Sequence, residues 1–185
     1  MRTPAIKEFL SVQVTLAEET EDTAQTLRNL FTVYFSELSQ WDDLLALNEW
    51  GLPVWTAFGV PMPRTHDECA AYNWWIRGDC RRFLICADGQ VAGFVIVNPG
   101  PKFLPPETDF EVLDFFVAHK YRRRGVGEAA ARAVFDQFRG RWEVEQLAGN
   151  RPAVAFWNRV IEGCTGGQYE RQGDGARQRF RNDGG

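Results

Sequence analysis

Two hydrophobic periods alternate along this chain, and their order predicts its elements. Apolar and polar residues take turns in VQVTL, Val12 to Leu16, as on a half-buried strand. Leu27, Leu30, Phe31, Tyr34 and Leu38 then recur every third or fourth place, which draws one apolar stripe along a helix, and Asp22 with Gln25 supplies a capping-box start. In RFLICADGQVAGFVIV two apolar runs flank Asp88-Gly89, a dipeptide suited to the two-residue type I′ hairpin turn. After the proline-rich NPGPKFLPPE, the segment DFEVLDFFV, Asp109 to Val117, reads as a buried strand that carries acids. An alanine-rich helix to about Arg139, a strand from Arg141 to Leu147 and a helix from Asn150 to about Ile161, broken by GCTGGQ, follow it. Two short polar strands, near Tyr169 and Phe180, close the chain.

From Trp41 to Cys80 the pattern is less legible, because Pro53, Pro61 and Pro63 interrupt it. Trp41, Trp50, Trp55, Trp74 and Trp75 fall in this region, either as core and lid packing or as the wall of a pocket. With 185 residues, 44% hydrophobic and 25% charged, the chain is of a size to form one domain spanning 1–185. A formal net charge of −4 argues against a partner such as nucleic acid, whose backbone calls for many neutralising cations. Cys69, Cys80, Cys86 and Cys164 form no CxxC pair, and His66 and His119 do not accompany them at metal spacing, so reduced thiols and no metal are expected. MRTPAIKEFLSVQV lacks the apolar run of a signal peptide, and no segment approaches the roughly 18 apolar residues of a membrane span, so a cytoplasmic protein is expected, with no membrane partner.

Against that acidic background, HKYRRRGVGEAA gathers three arginines beside two glycines at the start of a helix. Glycines let backbone N–H groups approach an anion, and a helix N-terminus adds about half a unit of positive charge, so the segment reads as a phosphate cradle. Gly125 to Ala130 formally satisfies the dinucleotide fingerprint G-x-G-x-x-A, and Glu145 lies at a suitable distance for a ribose ligand. In that fold, however, the strand runs almost directly into the first glycine, whereas here a charged connector separates Val117 from Gly125. Too little chain also remains to complete a dinucleotide sheet.

With the connector included, Val117, Tyr121, Arg122, Gly125 and Gly127 fall on the acyl-CoA signature of the GNAT superfamily of N-acetyltransferases, which this chain resembles. Asn150, Ala153, Phe156 and Trp157 fall on a second pattern of that family, after the next strand. The resemblance implies an α/β chain of the α+β type: a central, mixed, mostly antiparallel sheet flanked by helices and split between its fourth and fifth strands. It implies acetyl-CoA as cosubstrate, a small or peptidic primary amine as acceptor, direct attack in a ternary complex, and leaves a homodimer open. The pyrophosphate would lie on Arg122, Arg123, Arg124, Gly125, Val126, Gly127 and Glu128. The pantetheine arm would pair with Phe115, Phe116 and Val117 like an added strand, with a further hydrogen bond from Asn150, which can also be an N-cap. The Val117 amide would face the thioester oxygen.

A protonated amine must lose a proton before it attacks, so a carboxylate base is required. Glu111, six residues before Val117, matches the base of some histone-type members; Glu145, five before Asn150, matches that of ribosomal-protein-type members. Asp114 sits between Leu113 and Phe115, where an unpaired charge would be costly, and Glu143 is a further acid of the same region. The order of preference is Glu111, Asp114, Glu145, and for each a solvated or salt-bridged strand acid is the plain alternative. Strict strand alternation puts Glu111 and Asp114 on opposite faces, unless the family's bulge intervenes. Where many members carry a tyrosine acid, this chain has Trp157, whose indole N–H cannot serve. That departure keeps a second reading open, a non-catalytic acyl-CoA-binding regulatory module. Finally, Glu107, Asp109, Glu111 and Asp114 crowd one strand, which predicts a negative acceptor side and a cationic acceptor.

Overall fold

Asp88 and Gly89 adopt φ of 51° and 75°, the paired left-handed conformation of a type I′ turn, and join β4 (Arg81–Ala87) to β5 (Gln90–Pro99) as an antiparallel hairpin. The Asp88 carboxylate also accepts the Gln13 N–H at 2.9 Å, which anchors the entry to β1 (Val14–Glu18) on the outer edge of β4. These contacts belong to a computed structural model that describes residues 12–56, 63–71, 78–100 and 108–182.

The other elements, in chain order, are α1 (Ala24–Leu38), β2 (Leu45–Leu47), β3 (Pro53–Trp55), α2 (His66–Ala71), β6 (Phe110–Val117), α3 (Val126–Gln137), β7 (Arg141–Glu145), α4 (Arg151–Thr165), β8 (Tyr169–Gln172) and β9 (Arg177–Arg181). Seven strands form one sheet in the order β1-β4-β5-β6-β7-β9-β8. Every neighbouring pair is antiparallel except β6 with β7, which are joined through α3 and run parallel. The expected mixed, mostly antiparallel, helix-flanked sheet is therefore present.

The sheet separates two apolar layers. On one side Val95, Val97, Val112 and Val117 pack with Val126 and Val134 of α3 and with Trp157 and Ile161 of α4. On the other, Leu27, Phe31 and Phe35 of α1 lie over Leu84, Phe94, Ile96 and Phe116, with the Phe31 and Phe94 rings 4.7 Å apart. Full burial of such a side chain stabilises by about 1.5–3 kcal/mol, so this face holds α1. It includes Phe35, which the stripe read from the sequence left out, while Leu30, Tyr34 and Leu38 of that stripe are partly buried at its edge.

Several boundaries differ from the sequence reading. The first strand covers Val14–Glu18, two residues beyond the expected start, because its register is fixed by pairing with β4. The capping box on Asp22 and Gln25 does not form. Thr23 is the N-cap, its hydroxyl accepts the Thr20 N–H at 2.8 Å, and Gln25 donates to Asn29. Helix α4 runs past Ile161 to Thr165 and ends at Gly166, which is left-handed; Gly163 stays inside the helix, where it lies against Arg132 of α3. The region from Trp41 to Cys80 holds the β2–β3 hairpin and α2, with Leu45 and Leu52 buried. There Trp50 is exposed beneath the Arg64 guanidinium, so it is not core, while Trp74 and Trp75 lie outside the described residues.

Candidate active site

Two interruptions in β6 create the site. The first is a bulge: Ile96 pairs with Asp114 but Val97 pairs with Val112, leaving Leu113 as the extra residue. It resets the alternation, so Glu111, opposite Asn98, and Asp114, opposite Ile96, share the α1 face. The second is a parting. β6 pairs with β7 only from Phe110 to Val112, and Phe115 to Val117 have no β7 partner, so the split lies between the fourth and fifth strands of the sheet. Ala118 N–H donates to the Ala92 carbonyl at 2.8 Å. Gly93 and Val117 are thus a non-hydrogen-bonded pair, and Val117 turns its own N–H and C=O away from β5 into the gap. Gly93 permits this approach, since a Cβ there would strike the Phe116 carbonyl.

The parted strand leads into a 3-10 turn, His119–Tyr121, and then the cradle. Arg123, at φ 56°, and Gly125, at φ 81°, are both left-handed, and Gly125 is the N-cap of α3. The helix's own hydrogen bonding begins where Ala129 donates to the Gly125 carbonyl, so the amides of Val126, Gly127 and Glu128 are the orphan donors of the first turn. Arg123 and Arg124 are exposed and have no ion-pair partner among the described residues. Arg122 differs from them. Its Nε donates to the Val117 carbonyl at 2.6 Å and its Nη2 pairs with Glu37 of α1. Gly127 lets α3 approach its neighbours: a Cβ there would lie 3.2 Å from the Phe156 ring and 3.7 Å from Val117. Asn150 caps α4, its side chain accepting the Ala153 N–H at 3.2 Å. Trp157 is buried edge-on against Phe115 at 5.0 Å, beneath the split. This backbone, with two arginines unpaired among the described residues, fits the pyrophosphate of an acyl-CoA.

The candidate acids fall into distinct environments. Glu111 is half-buried, and its Oε2 accepts from Asn98 Nδ2 at 3.0 Å. Burial pushes the Glu111 carboxyl up; the Asn98 hydrogen bond and Arg177 oppose that, and the charges of Glu143 and Glu145 add to it. Glu143 is 0% exposed, with Arg179 Nε donating to it at 2.6 Å and Arg177 Nε 3.2 Å from its other oxygen but misaligned for a hydrogen bond. Glu145 is exposed and accepts from Arg177 at 2.7 Å. Asp114, 8% exposed, is hydrogen-bonded to Tyr34 of α1; burial first, then the Asp114 charge and hydrogen bond, raise the Tyr34 phenol well above its usual value.

The expected crowd of acids is accordingly dispersed. Asp109 takes a forked pair from Arg141, at 2.9 and 3.0 Å, which holds its carboxyl well below the usual range. Asp114 is turned under α1, and Glu107 lies outside the described residues. Glu111 and Glu145 remain near the point where β6 and β7 part, while Asp109 is neutralised by Arg141. Sequence reasoning missed Asn98, Tyr34 and Glu37. Tyr34 and Glu37 carry no local signal, but Asn98, a polar residue closing the apolar run GFVIVN, was a visible exception.

A sheet that parts beside a glycine-bearing helix N-terminus, with a half-buried carboxylate on the same strand, defines an acyl-transfer scaffold. The sequence model of the Acetyltransferase (GNAT) family matches residues 27–161, and the chain belongs to that family. An acetyltransferase from Thermus thermophilus is similar in structure, with 16% identity, a TM-score of 0.52, and 92% of this chain and 96% of that one covered. The dodecameric spermidine N-acetyltransferase from Vibrio cholerae is similar too, with 14% identity, a TM-score of 0.54, and 92% and 94% covered. At these identities the likeness shows the fold alone. No curated protein matches the chain significantly in sequence. Among the described residues, no helix is long and apolar enough to cross a membrane, and no group of three or more metal-ligating side chains occurs.

Proposed function

We propose that this protein is an N-acetyltransferase that transfers the acetyl group of acetyl-CoA to a primary amine by direct attack in a ternary complex. The observation that carries this reading is the parted strand itself, which leaves Phe115 to Val117 without a β7 partner between the half-buried Glu111 and the glycine-bearing start of α3. Acetyl-CoA supplies the activated acyl group and its thiolate leaving group.

The chain's residues would do the rest. The amides of Val126, Gly127 and Glu128, with the Arg123 and Arg124 side chains, bind the pyrophosphate, and Arg122 braces the strand end through the Val117 carbonyl. The unpaired edge at Phe115 to Val117 aligns the pantetheine arm, and Asn150 can add its amide to that arm from the head of α4. The Val117 N–H meets the carbonyl oxygen as negative charge develops there. Glu111 takes the amine proton, directly or through one water, because it is buried enough to be a better base than a free glutamate while keeping an accessible oxygen. Asp114 and Glu145 are weaker candidates, the first committed to Tyr34 and the second to Arg177. Trp157 stands where the resemblance puts the family's tyrosine acid, and the thiolate, a good leaving group near neutral pH, departs without one.

Thiol release from acetyl-CoA across small amines, amino acids, an aminoglycoside and a basic peptide tests the proposal. Turnover with one of these classes is expected, with a pH profile whose acidic limb disappears in Glu111→Gln. Binding of acetyl-CoA without thiol release across the panel would instead identify a non-catalytic acyl-CoA-binding module.

A further inference from the structure

Asn98 is 2% exposed, yet it is a primary amide at the end of an apolar strand. Burying an amide is costly unless its groups are paired, so its partners reveal its role. Its Nδ2 donates to Glu111 Oε2 at 3.0 Å, and the Cys80 thiol, also buried, donates to its Oδ1 at 3.7 Å. The orientation is dictated by chemistry. An ionised carboxylate can only accept, so the amide must offer it nitrogen, and the oxygen then faces the thiol. The bulge at Leu113 makes the alignment possible by placing Glu111 directly opposite Asn98 on the α1 face.

We propose that Asn98 is a positioning residue for the reaction: held by Cys80, its amide fixes Glu111 Oε2 and so leaves Oε1 to take the amine proton. This rests on the reading of Glu111 as the base. Among the described residues, the charged groups facing Glu111 are Glu143 and Glu145 of β7 and Arg177 of β9. Asp114 shares its face of β6 but is held by Tyr34 of α1, and the Cys80 thiol donates to Asn98. Two of the facing charges are negative, and Arg177 is already engaged by Glu143 and Glu145. Asn98 is therefore the donor that favours the ionised carboxylate by direct contact.

The test is the pH dependence of kcat in purified full-length variants, with acetyl-CoA and the best amine of the panel. In Asn98→Ala the acidic limb should move to higher pH, with kcat falling about tenfold below that limb while KM for acetyl-CoA stays near the parent value. Asn98→Asp, nearly the same shape, should move it further in the same direction, since a second carboxylate then faces Glu111. Cys80→Val, which removes the thiol that steadies the amide oxygen, should give a smaller shift of the same sign. If Glu111→Gln retains full turnover, the base assignment itself fails. If Glu111→Gln loses turnover but the limb stays in place in the folded Asn98 variants, Asn98 is structural only and this inference is overturned.

Discussion

The two sides of the cleft are built in opposite ways. The cradle side is one continuous piece of chain, Val117 to Glu128, and the groups proposed to hold the cofactor are largely backbone amides set by a left-handed Arg123, a left-handed Gly125 and the start of α3. The acid side is assembled from side chains far apart in sequence: Cys80, Asn98, Glu111, Asp114 and Tyr34, brought together by strand register and by the packing of α1. Backbone groups are present whatever the side chain, so the cradle should tolerate substitution except where geometry or charge is at stake. A side-chain network has no such tolerance, because removal of one partner strands the next.

The largest contrast should come from the smallest chemical change. Glu111→Gln is expected to lower kcat by about 100- to 10,000-fold with acetyl-CoA affinity retained, as read by steady-state kinetics and calorimetry. Since burial raises the Glu111 carboxyl, the parent enzyme should lose activity toward acid pH on a limb above the ordinary glutamate range. Unaltered turnover in this variant would move the base to Asp114 or Glu145.

On the cradle side, Gly127→Val should be the most damaging single substitution. Its Cβ would already press on Phe156 at 3.2 Å, and the two further methyls would push α3 from the split, costing about 1–3 kcal/mol of stability and weakening acetyl-CoA binding. Thermal unfolding and calorimetry measure the two effects separately. A milder result is expected from Arg123→Ala combined with Arg124→Ala: KM for acetyl-CoA should rise about tenfold, kcat should hold, and the salt dependence of binding should flatten. The smallest effect should come from Glu37→Gln, which removes a half-exposed ion pair between the two sides and is worth about 0.2–1 kcal/mol. A tenfold change in either KM would show instead that the Arg122–Glu37 pair couples acceptor and cofactor binding.

Legibility follows the same division. The hairpin at Asp88-Gly89, the α1 stripe and the strand–cradle–helix segment were readable because each is written in neighbouring residues: a turn dipeptide, a helical period, two glycines before an alanine-rich run. The ranking of Glu111 first among the acids came from the resemblance, through a spacing from Val117 that some family members share. The bulge at Leu113 was not readable from the residues, since one extra residue in a strand leaves no local mark, yet it decides that Glu111 and Asp114 share a face. The engagement of Arg122 with Glu37 was equally hidden: an arginine beside a cradle looks like a phosphate ligand until α1 supplies a carboxylate for it.

By itself, then, the sequence determined the glycine-bearing start of α3 and, outside Trp41 to Cys80, the order of elements, because local periodicity and glycine conformation act within a few residues. Tertiary structure alone decided the electrostatics of the acids. Asp109 lies against Arg141, Glu143 between Arg177 and Arg179, Asp114 on Tyr34, and Glu111 against an uncharged amide. Those pairings span distant parts of the chain and depend on register across the sheet, and a carboxylate's affinity for a proton is set by what faces it in space rather than by what precedes it in the chain.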